Sequence, residues 1–195
     1  MTAFRVWLRK NLGTVFLGVL FAILLVSPDS KAWLMRQMIS TGLFNSKIEE
    51  KESGNDASIA ENLKVKTENG AIIQTSRLKG KVVFINFWAS WCPPCRAEFP
   101  SIQKLYEKYS GNKDLVFLTV NLDEEEEKGK MYLKKEELSV PFLVPEGSIP
   151  RGFFGGSLPT TVILDKNGKI RMHHTGMADY SKAPFYEEIN KLLKE

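Results

Sequence analysis

The stretch that decides the fold occupies residues 82–95 and reads V-V-F-I-N-F-W-A-S-W-C-P-P-C. Its first half, residues 82–88, is a continuous apolar run, which is typical of a buried strand. Cys92 and Cys95 stand at its end and are the only two cysteines in the chain. A helical pattern begins directly behind them, and a lone C-x-x-C pair between a strand and a helix predicts a redox-active dithiol.

The spacing of the cysteines predicts a different role for each of them. The unpaired N–H groups and the positive dipole at the start of a helix stabilise a thiolate. We therefore expect Cys92 to be the exposed, acidified nucleophile and Cys95, one turn further on, to be the shielded resolving thiol. Pro93 and Pro94 suit the opening of a helix. Because neither proline has an N–H, the first backbone donor for the Cys92 thiolate is that of Cys95, which predicts moderate acidification and a reducing couple.

Charge is distributed unevenly along the 195 residues, a length that suits one ordinary domain with appendages. The net charge of +4 comes mainly from residues 1–31, which hold four basic residues and one acidic residue. Residues 32–195 hold 23 basic and 22 acidic residues. A nearly neutral body offers no basic stripe, so nucleic acid is not expected as a partner.

The N-terminal residues have the pattern of a targeting segment. Basic residues precede the apolar run 12–26. Residues 11–27 carry no charge, and the length of this stretch is at the lower limit for spanning a bilayer. A cleaved secretory signal and an uncleaved anchor both fit. The apolar residues 32–44, which could lie along the interface, favour the anchor. Basic residues ahead of the span predict a single-pass protein of the bacterial inner membrane with its C-terminal domain in the periplasm, where a disulfide can persist.

Three segments are predicted: a signal-anchor at 1–31, a juxtamembrane stretch and polar tether at 32–62, and a domain at 63–195. In that domain strands and helices alternate, which implies an α/β sandwich with a mixed sheet. The acidic residues 123–127 are expected at a helix N-terminus, where they complement the dipole. The predicted elements are a hairpin at 63–75, strands at 82–88, 115–121 and 142–144, helices at 92–109 and 124–138, a hairpin at 158–175 and a helix at 181–194.

Two blocks carry a resemblance to a known family, N-F-W-A-S-W-C-P-P-C-R-A-E-F-P at 86–100 and L-P-T-T-V-I-L-D-K-N-G at 158–168. They resemble the membrane-anchored, TlpA/ResA-like branch of the thioredoxin superfamily, which has a redoxin or AhpC/TSA-like domain. The resemblance implies a thioredoxin-like three-layer sandwich with a mixed central sheet, preceded by a β-hairpin and a membrane anchor helix. It also implies a protein-disulfide reductase that needs no cofactor beyond its two cysteines.

The resemblance assigns further residues to the site. It implies that Pro159 is a cis-proline that faces the disulfide, and that the backbone of Leu158 pairs with an extended substrate segment. An ordinary trans proline that opens an edge strand is the other interpretation of Pro159. Trp91, adjacent to the nucleophile, is expected to cover one side of the disulfide and to offer apolar surface to partners.

Proton transfer to and from Cys95 needs a group other than the one that thioredoxins use. Asn86 stands where thioredoxins resemble one another in carrying a buried Asp, and asparagine does not titrate. Glu98, one helical turn beyond Cys95, is the nearest ionisable candidate, and many members of the branch resemble each other in having Glu there. The other interpretation of Glu98 is a surface carboxylate near the start of the helix.

The predicted reaction is thiol–disulfide exchange. The Cys92 thiolate attacks a partner disulfide, and Cys95 then resolves the mixed disulfide. The predicted partners are disulfide-bearing proteins, with apocytochrome c as the substrate that the family resemblance favours, and a membrane thiol carrier that returns the electrons.

Alternative uses of the cysteines are a static disulfide, a metal site and a thiol peroxidase. A static disulfide that closes so short a loop would add little stability, and a zinc site usually needs two more ligands. A Cu(I) metallochaperone of the Sco kind would need a distal histidine, but His173 and His174 are adjacent on a strand and point to opposite faces. Peroxidases of the peroxiredoxin kind usually carry Thr at the position of Ala89.

Overall fold

The computed structural model of the chain describes residues 11–26, 28–40 and 61–195. These residues form a mixed α/β structure, and a short 3₁₀ helix (Thr75–Arg77) follows its second strand. The helices are α1 (Leu12–Val26), α2 (Pro28–Ser40), α3 (Pro93–Tyr109), α4 (Glu126–Lys135) and α5 (Ala183–Lys194). The strands are β1 (Lys64–Thr67), β2 (Ile72–Gln74), β3 (Val82–Trp88), β4 (Leu115–Asn121), β5 (Leu143–Pro145), β6 (Thr160–Leu164) and β7 (Ile170–Thr175).

The seven strands form one mixed sheet in the order β2-β1-β5-β4-β3-β6-β7. Strands β3 and β4 run parallel, in a register that pairs Val82 with Leu115 and Trp88 with Asn121. Their carboxyl ends therefore meet at one edge of the sheet, which is where the loop to the cysteines leaves β3. Strand β6 pairs with β3 in the antiparallel direction, so the predicted mixed sheet is confirmed.

The central strand β3 is buried along its whole length and carries apolar side chains to both faces of the sheet. Its even-numbered residues Val82, Phe84 and Trp88 belong to a cluster that side chains from α3, α4 and α5 complete. Its odd-numbered residues pack on the other face with Leu63 and Phe153. Successive side chains of a strand alternate between faces, so Asn86 lies on the face covered by α3.

Both predicted hairpins are confirmed. Strands β1 and β2 pair in the antiparallel direction, and Gly70 in the turn between them has φ +82°. Gly168, between β6 and β7, has φ +79°. These left-handed conformations are accessible to glycine at little steric cost. The dipeptides Asn69-Gly70 and Asn167-Gly168, a sequence signal typical of hairpin turns, therefore stand at the two turns.

Helix α4 is shorter than the predicted 124–138. Glu125 is extended, with φ −109° and ψ 105°, and Glu137 has φ +54°, so the helical conformation is confined to Glu126–Lys135. The prediction for the acidic run is therefore correct only from Glu126 onward. Asp123 lies ahead of the helix, and its carboxylate is directed elsewhere, as described below.

The N-terminal helix α1 ends at Val26, and α2 begins at Pro28. In the parts of the chain that the structure describes, no helix combines the length and the apolarity needed to cross a membrane. Helix α2 runs across the predicted boundary at residue 31. Residues 41–44 of the predicted interfacial stretch and residues 45–60 of the predicted tether lie outside the described residues.

Helix α2 packs on the α/β domain at the first turns of α3. Ala32 is buried there, with 2% of its surface exposed. The Asp29 carboxylate pairs with the Arg96 guanidinium, and Lys135 of α4 lies 3.1 Å from the same carboxylate. Arg36 donates to the carbonyl oxygen of Arg96 at 3.0 Å and pairs with Glu136 at 3.3 Å. The face of α2 that meets the domain is thus held mainly by charge, next to the residue that follows Cys95.

Candidate active site

The site is built around a disulfide between Cys92 and Cys95, whose sulfurs are 2.06 Å apart. Cys92 is the N-cap of α3, and Pro93 and Pro94 occupy the first two positions of the helix. The backbone N–H of Cys95 donates to the sulfur of Cys92 at 3.2 Å. The sequence-based expectation that Cys95 supplies the first backbone donor to Cys92 is confirmed.

Cys92 is more buried than the sequence predicted, whereas Cys95 is shielded as expected. Cys92 has 3% of its surface exposed and Cys95 has none. The order of exposure is as expected, but the prediction of an exposed Cys92 is wrong for the disulfide form. The reason is packing, because both cysteines belong to the apolar cluster that contains Trp88 and Phe99. By contrast, Trp91 is 62% exposed, so it presents a large aromatic surface beside Cys92.

Pro159 has the cis peptide bond that the family resemblance implied, formed with Leu158. Strand β6 begins at the next residue, and Thr160 pairs with Phe87 near the end of β3. This register brings Pro159 beside the edge of the sheet from which the loop to Cys92 leaves. Leu158 is partly buried and packs against both apolar clusters.

Glu98 is not a surface carboxylate. It has 1% of its surface exposed, accepts a hydrogen bond from Asn86 Nδ2 at 2.8 Å and accepts another from the backbone N–H of Ala178 at 3.3 Å. Burial raises its pKa to about 8, although the two hydrogen bonds act in the opposite direction. A carboxyl group that titrates near neutral pH, one turn from a resolving cysteine, suits proton transfer.

A buried hydrogen-bond network extends from Glu98 across the sheet. Asn86 Nδ2 also donates to Thr161 Oγ1 at 2.9 Å, and the hydroxyl of Tyr180 donates to the same oxygen at 2.7 Å. Burial, followed by the nearby charge of Glu98, raises the pKa of Tyr180 well above its usual value. Sequence reasoning missed Thr161 and Tyr180. Thr161 lies within the L-P-T-T block, whereas no local pattern marked Tyr180.

The two histidines lie on strand β7. His173 pairs with Val162 and His174 with Thr161. Burial lowers the pKa of His174, and His173 is exposed. Within residues 11–26, 28–40 and 61–195, no group of three His, Cys, Asp or Glu side chains is arranged to hold a metal ion.

Comparison with known proteins places this site in a family. The model of the AhpC/TSA family matches residues 57–173. The thiol-disulfide oxidoreductase ResA of Bacillus cereus is 35% identical over 129 residues, which cover 66% of this chain and 74% of ResA. The thioredoxin-like protein YneN of Bacillus subtilis is 35% identical over 118 residues, which cover 60% of this chain and 69% of YneN.

The fold agrees with these sequence matches. A crystal structure described as that of a thiol:disulfide interchange protein, DsbE, from Chlorobium tepidum superimposes with a TM-score of 0.60 at 29% identity. The superposition covers 70% of this chain and 96% of that protein. The chain therefore belongs to the AhpC/TSA family, and its thioredoxin-like domain, with a Cys92–Cys95 disulfide at the start of α3, is that of a thiol–disulfide oxidoreductase.

Proposed function

We propose that this oxidoreductase works as a reductase of disulfides in proteins outside the cytoplasm. The observation that supports reduction over oxidation is the number of backbone N–H groups that donate to the Cys92 sulfur. Pro93 and Pro94 have no N–H, so in the first turn of α3 only the N–H of Cys95 donates to the Cys92 sulfur, at 3.2 Å. Strong stabilisation of the reduced form is what makes a dithiol oxidising. A thiolate with few donors favours the opposite direction.

The exchange proceeds in two displacements. In the first, the thiolate of Cys92 attacks one sulfur of the partner disulfide, forms a mixed disulfide with it and releases the other partner sulfur as a thiolate. In the second, Cys95 loses its proton and attacks the sulfur of Cys92. The Cys92–Cys95 bond forms and the remaining partner sulfur leaves, so two electrons pass from the chain to the partner.

Glu98 handles the proton of Cys95 in both directions. Its pKa of about 8 leaves a minor ionised fraction near neutral pH, and that fraction accepts the proton when Cys95 attacks. When an incoming thiol reduces the chain again, Cys95 leaves as a thiolate, and the protonated form of Glu98 supplies its proton. Both residues are buried, with 1% of the surface of Glu98 and none of that of Cys95 exposed.

The partner is held by the surface around the disulfide. The backbone at Leu158, directly ahead of Pro159, pairs with an extended segment of the partner, as an added strand would. Trp91, with 62% of its surface exposed, packs against the apolar part of the same segment. The family resemblance favours apocytochrome c as the substrate whose disulfide is opened before haem attachment.

The proposed location is the periplasmic face of a bacterial inner membrane, with the apolar run 12–26, inside the predicted segment 1–31, as the span of a single-pass anchor. The support for this is the uncharged run 11–27 and the exposed apolar side chains of α1, among them Phe16 at 67% and Phe21 at 62%. Because α2 is joined to α1 and packs on α3, it would hold the catalytic domain close to the membrane surface. A membrane thiol carrier would then return the electrons.

The experiment that tests the direction is a measurement of the reduction potential of the Cys92–Cys95 couple in the whole chain, by equilibration with glutathione or dithiothreitol buffers. We expect a value close to that of thioredoxin, about −270 mV. A value close to that of DsbA, about −120 mV, would mean that the chain is an oxidant and would overturn the argument from the two prolines.

A further inference from the structure

The loop that leads into the disulfide is held by a buried carboxylate, that of Asp123. Asp123 follows the end of β4 and has 9% of its surface exposed. The backbone N–H of Ser90 donates to its Oδ2 at 3.0 Å, and the hydroxyl of Ser90 donates to its Oδ1 at 2.9 Å. Both hydrogen-bond donors of Ser90 thus end on one side chain, from the loop that follows β4.

The loop itself is short. Ala89 follows the last residue of β3, and the N–H of Cys92 donates back to the carbonyl oxygen of Ala89 at 3.1 Å. Ser90 and Trp91 are the two residues inside this turn. Since Ser90 is fixed by Asp123, the direction in which Trp91 leaves the surface beside Cys92 is fixed as well.

Asn121 and helix α4 hold Asp123 in place. Asn121, which has 1% of its surface exposed, donates through Nδ2 to Asp123 Oδ2 at 2.7 Å, and its Oδ1 accepts the N–H of Asp123 at 3.2 Å. Helix α4 closes over Asn121 at Gly129, where an added Cβ would lie 2.6 Å from Asn121 Nδ2. Gly129 and the side-chain amide of Asn121 therefore fix the orientation of the Asp123 carboxylate. Neither residue takes part in the proposed thiol–disulfide exchange.

We infer that Asp123 is a positioning residue for partner recognition, which acts by fixing Ser90 and hence the placement of Trp91. The inference rests on the proposed use of Trp91 as a partner surface. The carboxylate accepts hydrogen bonds from Ser90 N–H, Ser90 Oγ and Asn121 Nδ2. An amide at this position keeps an oxygen for Ser90 N–H and Asn121 Nδ2, and the Ser90 hydroxyl can turn to accept from the new NH2 group, but the negative charge that strengthens these hydrogen bonds is lost.

The test is a comparison of two disulfide substrates. The whole chain, reduced beforehand, is mixed with insulin or with glutathione disulfide, and the single-turnover rate is followed against substrate concentration. For Asp123→Asn we expect the concentration of insulin that gives the half-maximal rate to rise about tenfold, as for the replacement of charge-assisted hydrogen bonds by weaker neutral ones. The maximal rate, the rate with glutathione disulfide and the reduction potential are expected to stay unchanged. Glu124→Gln, at the exposed neighbouring position, is the matched control.

Two further variants keep the inference falsifiable if Asp123→Asn folds poorly. Ser90→Ala removes only the hydroxyl and should give a smaller rise of the same kind. Trp91→Ala should weaken insulin reduction strongly in the parent and little in Asp123→Asn, because coupled positions are not additive. Equal losses with insulin and glutathione disulfide, or additive effects of Asp123 and Trp91, would overturn the inference. A chain that reduces neither substrate would instead contradict the proposed reductase function.

Discussion

Replacement of Glu98 by Gln should stabilise the oxidised chain at alkaline pH. Glu98 is fully buried, and burial raises its pKa from 4.5 to about 8. In the folded state the group therefore holds its proton over a pH range in which the unfolded chain has released it. The folded state binds more protons there, so its stability is complete below about pH 4.5 and falls as the pH rises to about 8.

The size of the effect follows from the same pKa. Raising the pKa of a carboxyl group by this amount corresponds to a cost of about 5 kcal/mol for its ionised form. Glutamine is uncharged at all pH values and escapes that cost. Its amide keeps an oxygen for Asn86 Nδ2 but turns a donor towards the N–H of Ala178, which now donates to Glu98 Oε2. Such a clash costs about 1–3 kcal/mol, so we expect a net gain of about 2–4 kcal/mol above pH 8.

The assay is urea unfolding of the oxidised whole chain at several values between about pH 5 and pH 9. The free energy of unfolding of the parent should fall across this range, and that of Glu98→Gln should stay level. The two curves cross, since at low pH the variant keeps only the cost of the clash with Ala178. Glu107→Gln, which changes an exposed carboxylate on the same helix, should follow the parent.

Activity should move in the opposite direction to stability. Without a titrating group beside it, Cys95 attacks the mixed disulfide more slowly, by about 100-fold on the usual scale of general acid–base catalysis. Rapid-quench measurement of mixed-disulfide decay would show it. Parent and Glu98→Gln curves that fall in parallel with pH, or an unchanged decay rate, would refute the assignment of this proton to Glu98.

Three other changes test separate parts of the structure. Pro94→Ala restores a backbone donor at Cys92 and should make the Cys92–Cys95 couple more oxidising by about 30–60 mV, since a hydrogen bond to a charged group contributes about 1.5–3 kcal/mol. An unchanged reduction potential would contradict the argument from the prolines. Gly129→Ala should lower the free energy of unfolding by about 1–3 kcal/mol, because its Cβ would meet Asn121 at 2.6 Å, and chemical denaturation measures this. Asp29→Asn breaks the ion pair with Arg96, whose side chain is only 10% exposed. The variant should speed amide hydrogen exchange in α2 and leave exchange in α5 unchanged. Equal exchange rates in parent and variant would show that the ion pair does not hold α2 on the domain.

The sequence located most of the fold because its signals are local. The apolar run of β3, the N-G turns and the helical pattern after Cys95 each depend on a few neighbouring residues, and each lies where it was expected. The ends of α4 were misplaced because charge pattern alone does not show where the backbone leaves the helical conformation, as it does at Glu125 and Glu137.

The site was predicted in its chemistry but not in its burial. The C-x-x-C pair and the cis-proline block are contiguous motifs, so Cys92, Cys95 and Pro159 could be named directly. Burial depends instead on which residues the fold brings together from distant positions. Ala178 lies 80 residues from Glu98, and Asp123 lies 33 residues from Ser90. No local pattern indicates such partners.

The resemblance to thioredoxins implied a buried acid at position 86 of β3, whereas this chain carries its buried acid at Glu98 of α3. The geometry explains how either position can serve the same site. Position 86 lies on the face of β3 that α3 covers, and position 98 lies on the buried side of α3, with their side chains 2.8 Å apart. Either element can therefore deliver a carboxyl group to the same dry space behind Cys95. Two carboxyl groups at that distance would not both ionise. With glutamate on the helix, an amide at 86 solves this problem, because it donates to the carboxylate and adds no charge. The pairing of Asn86 with Glu98 thus leaves Glu98 as the titrating group of this pair. Burial raises the pKa of Glu98, and the hydrogen bond from Asn86 partly offsets that rise.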